Sequence, residues 1–130
     1  MVVISFFYTA CPAPQPALVT SYKLQKRLKN RLGRDILLLT ISVDPEKDTL
    51  EAIQEYANKF KPQKGWLWLT GSEKNMAVIN RKLGNTLRLP EGHLRQFLLG
   101  NLKTGHWMKL VENAPVAALA MGLESLESDE

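Results

Sequence analysis

The chain opens on a continuous apolar and aromatic run from Val2 to Phe7, broken only by Ser5. That is the pattern of a strand buried on both faces of a parallel or mixed sheet. Ile36 to Val43, rich in Leu and Ile without alternation, predicts a second central strand, and the short, bulky Trp66-Leu67-Trp68-Leu69 predicts a third. Between the strands the apolar period lengthens. Leu24, Leu28 and Leu32 recur every four positions with Leu18 nearby, so Ala17 to Leu32 reads as a helix stopped by Gly33. Leu50, Ile53, Ala57 and Phe60 mark a second helix, with Asp48 or Thr49 as its N-cap and Pro62 closing it. Gly71-Ser72 opens a third, with Met76, Ile79 and Leu83 facing inward before Gly84. Gln96 to Gly100 and Trp107 to Val111, joined by Asn101-Leu102-Lys103-Thr104-Gly105, read as an antiparallel hairpin. The Ala-rich stretch from Ala114 to Leu126, with Pro115 in its first turn, reads as a last helix.

Three parallel beta-alpha units followed by an antiparallel hairpin and a helix form a thioredoxin-like layout, an α/β fold whose central mixed sheet is flanked by helices. The 130 residues fit one domain, read as residues 1–123, with a frayed acidic tail over 124–130. No apolar run approaches the roughly 20 residues that cross a bilayer. Charge is unevenly placed: six of the 17 basic residues (Lys23, Lys26, Arg27, Lys29, Arg31, Arg34) fall in one short stretch with no acid among them, so the rest of the chain is net negative. Such a stretch suits an anionic membrane surface, an acidic partner or nucleic acid, and is most often a solvated helix face.

Three prolines in Thr9-Ala10-Cys11-Pro12-Ala13-Pro14-Gln15-Pro16 forbid a strand and suit a loop that runs into a helix. This turn carries the chain's one cysteine. An intrachain disulfide is therefore impossible. At a helix start, unpaired N–H groups and the helix dipole favour a thiolate, which makes Cys11 a candidate nucleophile or soft-metal ligand. Any disulfide exchange through it needs a resolving thiol from another molecule.

Phe6-Phe7-Tyr8-Thr9-Ala10-Cys11-Pro12, then Ile41-Ser42-Val43-Asp44-Pro45-Glu46-Lys47-Asp48-Thr49, then Leu69-Thr70-Gly71-Ser72, in this order, resemble the Sco/SenC family. The resemblance runs to about Gly84, and the Ser-Val-Asp-Pro-Glu-Lys-Asp-Thr block is its most specific part. It implies a thioredoxin-like domain in the periplasm or otherwise outside the cytoplasm, tethered by an N-terminal anchor. The work implied is copper delivery or thiol redox in respiratory electron transport, during cytochrome oxidase assembly, with an oxidase subunit or a thiol oxidoreductase as protein partner and no nucleic acid. The family carries a hairpin before its first strand, which this chain lacks, so an upstream start or a fragment is expected. The family site uses two cysteines and a histidine. The second cysteine position is Gln15 here, followed by the retained Pro16, and His93 in Pro90-Glu91-Gly92-His93 occupies roughly the histidine's place. The resemblance thus gives Cys11 as the catalytic thiol, and Cys11 with His93 as two ligands for copper where the family has three.

Two other readings stand beside this one. The first is a non-catalytic scaffold that holds a protein through a sheet edge or the basic helix. The second is a one-cysteine thiol peroxidase, in which Thr9 and Arg88 or Arg95 would assist Cys11. His106 reads as a packing or surface residue, and Asp44 and Asp48 as turn and cap residues with a second role near Cys11 open to them.

Overall fold

A computed structural model describes residues 1–11, 15–84 and 95–128. Five strands, β1 (Val2–Phe7), β2 (Leu37–Ser42), β3 (Trp66–Leu69), β4 (Gln96–Asn101) and β5 (His106–Val111), form one sheet in the order β3-β2-β1-β4-β5. Parallel pairing joins β1 to β2 and β2 to β3, and antiparallel pairing joins β1 to β4 and β4 to β5. The helices are α1 (Pro16–Leu28), α2 (Leu50–Ala57), α3 (Glu73–Lys82) and α4 (Val116–Glu127). The mixed sheet flanked by helices is the layout the apolar pattern predicts.

Strand register sorts the core into two faces, because alternate residues point to opposite sides. Val3 pairs with Leu38 and Leu99, and Leu38 with Trp66; this face packs against Leu24 and Leu28 of α1 and Leu119 and Leu123 of α4. Val2, Ile4, Phe6, Ile41 and Leu98 line the opposite face, where Met76 of α3 covers them. All six residues of β1 are buried, as a central strand requires. Leu24 is fully buried, and Leu24→Ala would cost about 2–5 kcal/mol in transfer and cavity terms. At the C-terminal end of β1, Phe7 packs with Leu18 and Ile53, and its ring meets Trp68 edge-on at 5.1 Å.

The structure corrects the expected boundaries in several places. α1 ends at Leu28, where Lys29 turns to φ 52 and a 3-10 turn over Lys29–Arg31 follows; Leu32 is buried but not helical. Gly33, at φ +84, meets Gly65, at φ +104, so closely that a Cβ on Gly65 would lie 2.3 Å from the Gly33 nitrogen. The second helix likewise ends early, at Ala57, with a 3-10 turn over Asn58–Phe60. Ile79, expected inward, is 42% exposed, and the inner stripe of α3 is Met76, Asn80 and the partly buried Leu83. Asn80 tolerates burial because its amide donates to the carbonyls of Ser42 and Met76. The last helix stands close to its expected span, at Val116–Glu127: Leu126 is buried, its carbonyl accepts from Asn101, and Glu127 pairs with Arg31.

Candidate functional site

Because β1, β2 and β3 are parallel, the loops that leave them converge at one end of the sheet. Cys11 follows β1 there, half-buried with a free thiol, its backbone N–H donating to the Tyr8 carbonyl at 3.5 Å. α1 starts shortly after it, with Pro16 in the first turn, where the missing N–H costs nothing.

Asp48 anchors this end of the sheet. Its side chain is fully buried, and one carboxylate oxygen accepts from both the backbone N–H and the hydroxyl of Thr9 while the other accepts from the Ser42 hydroxyl at 2.7 Å. The Asp48 carbonyl accepts from the Thr70 hydroxyl at 2.8 Å. One residue thus ties together the segments leaving all three parallel strands. Burying a carboxylate is tolerable only with such a set of donors. The α2 N-cap is its neighbour Thr49, whose hydroxyl accepts from the Ala52 N–H. Asp44 sits beside Asp48, and its pKa is raised above the ordinary value, first by burial and then by the Asp48 charge.

Gln15 is buried, and its amide is engaged at both ends: Oε1 accepts from the Tyr8 N–H at 3.3 Å, while Nε2 donates to the Tyr8 carbonyl at 3.0 Å and to the Tyr56 hydroxyl at 3.2 Å. Burial raises the Tyr56 pKa; the Gln15 hydrogen bond opposes this, and charge on Cys11 acts with it. Tyr56 and Cys11 therefore lie within electrostatic reach of each other. No periodicity in the sequence marks Tyr56 as a neighbour of this turn, and its place follows only from the packing of α2 on Phe7.

Among the described residues this turn offers copper one soft ligand, Cys11. Copper(I) asks for thiolate, thioether or imidazole, and Gln15, where the resemblance expects a second cysteine, offers a hard amide oxygen that already accepts from the Tyr8 N–H. Among the described residues no group of three His, Cys, Asp or Glu is placed to hold a metal. His93 and Arg88 lie outside the described residues. Arg95 stands at the start of β4 and pairs with the buried Glu112 at 3.0 Å, and the Thr9 hydroxyl is given to Asp48, so the peroxidase grouping is not assembled among the described residues. His106 is exposed at the start of β5, at the other end of the sheet, as a surface reading expects.

Comparison with known proteins agrees with the sequence motifs. The SCO1/SenC family model matches residues 1–91. The mitochondrial Protein SCO1 homolog 1 of Arabidopsis thaliana is 32% identical over 81 residues, 61% of this chain and 23% of its own length. A SCO2-like protein of Rickettsia conorii is 31% identical over 80 residues, 62% of this chain and 38% of its own length. The chain thus spans less than half the length of either relative. Among solved structures, a SCO1/SenC family lipoprotein from Bacillus anthracis superposes with a TM-score of 0.80 at 24% identity, covering 97% of this chain and 80% of that one. BsSco, described as a member of the Sco family of cytochrome c oxidase assembly proteins with a disulfide switch, gives 0.78 at 24%, covering 99% and 81%. Copper-bound Arabidopsis thaliana ScoI gives 0.77 at 23%, covering 99% and 84%. The fold is the thioredoxin-like fold of these proteins.

Proposed function

This chain belongs to the SCO1/SenC family, and we propose that it works there as a single-thiol domain: Cys11 exchanges with a cysteine pair of a partner protein during assembly of a respiratory oxidase, and carrying copper is not its task. The observation that carries this reading is the engagement of Gln15. The amide at the second-cysteine position is spent on Tyr8 and Tyr56, while Cys11 stays free beside it. Assembly work is the role stated for BsSco, and the Bacillus anthracis lipoprotein supports a place outside the cytoplasm. The partner is an oxidase subunit or a thiol oxidoreductase.

In the exchange, the Cys11 thiolate attacks one sulfur of a partner disulfide. A new sulfur–sulfur bond forms as the partner's own breaks, and its other sulfur leaves as a thiolate that takes a proton from water. A thiol from a further molecule then displaces Cys11, which returns to its starting state. Asp48 takes no part in bond making; through Thr9 it holds the segment that leads to Cys11.

The test is to incubate the reduced protein with an oxidised peptide containing two cysteines and to follow adducts by mass spectrometry. A one-to-one adduct that is absent in Cys11→Ser and reversed by added thiol is the expected result. An inert Cys11 would overturn the reading in favour of a scaffold that holds its partner without covalent chemistry.

A further inference from the structure

The exchange reading leaves the basic stretch unused, and the fold enlarges it. Gln25 is buried on α1, and its amide donates to the carbonyls of Phe60 and Lys61 and accepts from the Gln63 N–H. This clips the segment after α2 along α1. Gly33 against Lys64 and Gly65 fixes the far end of the same segment. Three lysines from one segment, Lys59, Lys61 and Lys64, are thereby added to Lys23, Lys26 and Arg27 of α1, and all six are exposed. Lys26 lies over the Tyr22 ring at 4.5 Å. Tyr22 is also near Lys61, and its pKa falls below the ordinary value through the hydrogen bond with Lys26, then the charge of Lys26, with Lys61 adding to it. Arg31 is the exception among the helix bases, since Asp35 and Glu127 neutralise it.

None of the six is in an ion pair among the described residues. The exposed acid Glu55 stands one turn before Lys59 without pairing to it. Gathering unpaired like charges costs stability, and an anionic counter-surface offsets that cost. The chemistry of the patch selects among such surfaces. Protein interfaces have apolar or aromatic centres and are poor in lysine. Here five of the six bases are lysines, and the apolar side of α1, Leu24 and Leu28, is buried inward. We propose that this face of α1 and the segment after α2 docks on the anionic headgroup layer of a lipid bilayer. The contact is electrostatic and peripheral. No helix among the described residues is long and apolar enough to cross a membrane.

The test is flotation of the full chain with vesicles of phosphatidylcholine alone and of phosphatidylcholine with phosphatidylglycerol, at low and high salt. The protein is expected to float with the anionic vesicles only and to be released by salt. The double variant Lys26→Gln with Lys61→Gln should bind about thirty-fold more weakly, the loss of two basic side chains from an anionic surface. Lys74→Gln with Lys82→Gln, the same change of charge on α3 across the sheet, should bind as the parent does, and so should Cys11→Ser. Thermal melts confirm that each variant is folded. No flotation at low salt, or equal loss in both double variants, overturns the proposal. Binding to polyglutamate without binding to anionic vesicles also overturns it, in favour of an acidic protein partner.

Discussion

The side-chain amide of Gln15 faces the backbone of Tyr8 as a neighbouring strand would, accepting from its N–H at 3.3 Å and donating to its carbonyl at 3.0 Å. β1 ends at Phe7, and Gln15 supplies Tyr8 with backbone pairing beyond the strand's end. A side chain that completes the backbone pairing of one strand end and also holds Tyr56 fixes the start of α1 against α2. In this chain the position contributes stability where the resemblance expects a thiolate.

Gln15→Ala should therefore destabilise the fold by about 1–3 kcal/mol, the cost of removing the hydrogen bonds that its amide makes to Tyr8 and Tyr56. Denaturant unfolding measures this. Gln15→Glu separates the two halves of the pair: it keeps an acceptor for the Tyr8 N–H but sets a carboxylate oxygen against the Tyr8 carbonyl. It should be the worse of the two at neutral pH and recover as acid protonates the new carboxyl. Both variants should raise the alkylation rate of Cys11, because the turn loosens.

Asp48→Ala leaves the Thr9 and Ser42 donors unpaired at once and is expected to cost more than about 3 kcal/mol, since hydrogen bonds to a charged group are worth about 1.5–3 kcal/mol each. Thr9→Val removes the hydroxyl donor but leaves the Thr9 N–H to Asp48, so it should cost about half as much or less. Thermal melts of the two proteins, with Cys11 alkylation followed in parallel, check the order. Equal effects on stability would refute the assignment of Asp48 as the shared anchor.

The pKa of Asp44 is raised by burial and by Asp48. Its charged form therefore costs the native state free energy at neutral pH. Relative to that penalty the native state gains as the pH falls through the raised folded pKa, and the gain is complete below the ordinary value of 3.8. Asp44→Asn should thus melt at a higher temperature than the parent at pH 7, with the difference vanishing in acid. A lower melting temperature at pH 7 would refute it.

Much of this fold is legible in the sequence because its strands are buried on both faces and its helices carry regular apolar stripes. Val2–Phe7 and Trp66–Leu69 stand as the apolar runs predict. Where polar residues perform structural work the reading fails. Ile79 continues an apolar period on paper, yet Asn80 takes the inner place because two carbonyls await its amide. Leu32 continues the four-residue period of α1, but burial needs only its side chain, and the backbone has already left the helix at Lys29. Asp48 reads as a helix cap from its position before Leu50, and only the tertiary fold brings it to Thr9, far away in sequence. The same holds for the site: the sequence shows that Gln15 is no thiol, but its pairing with Tyr8 and Tyr56 has no linear signature.

The most direct measurement is a competition titration of copper(I) between a chelator and the reduced protein, run beside Gln15→Cys. The account predicts that the parent leaves the metal with the chelator. Gln15→Cys, which exchanges the hard amide for a second thiolate next to Cys11, should take it up in a one-to-one complex and form an intramolecular disulfide on oxidation. Tight one-to-one binding by the parent, lost in Cys11→Ser, would contradict the account and return the chain to copper delivery.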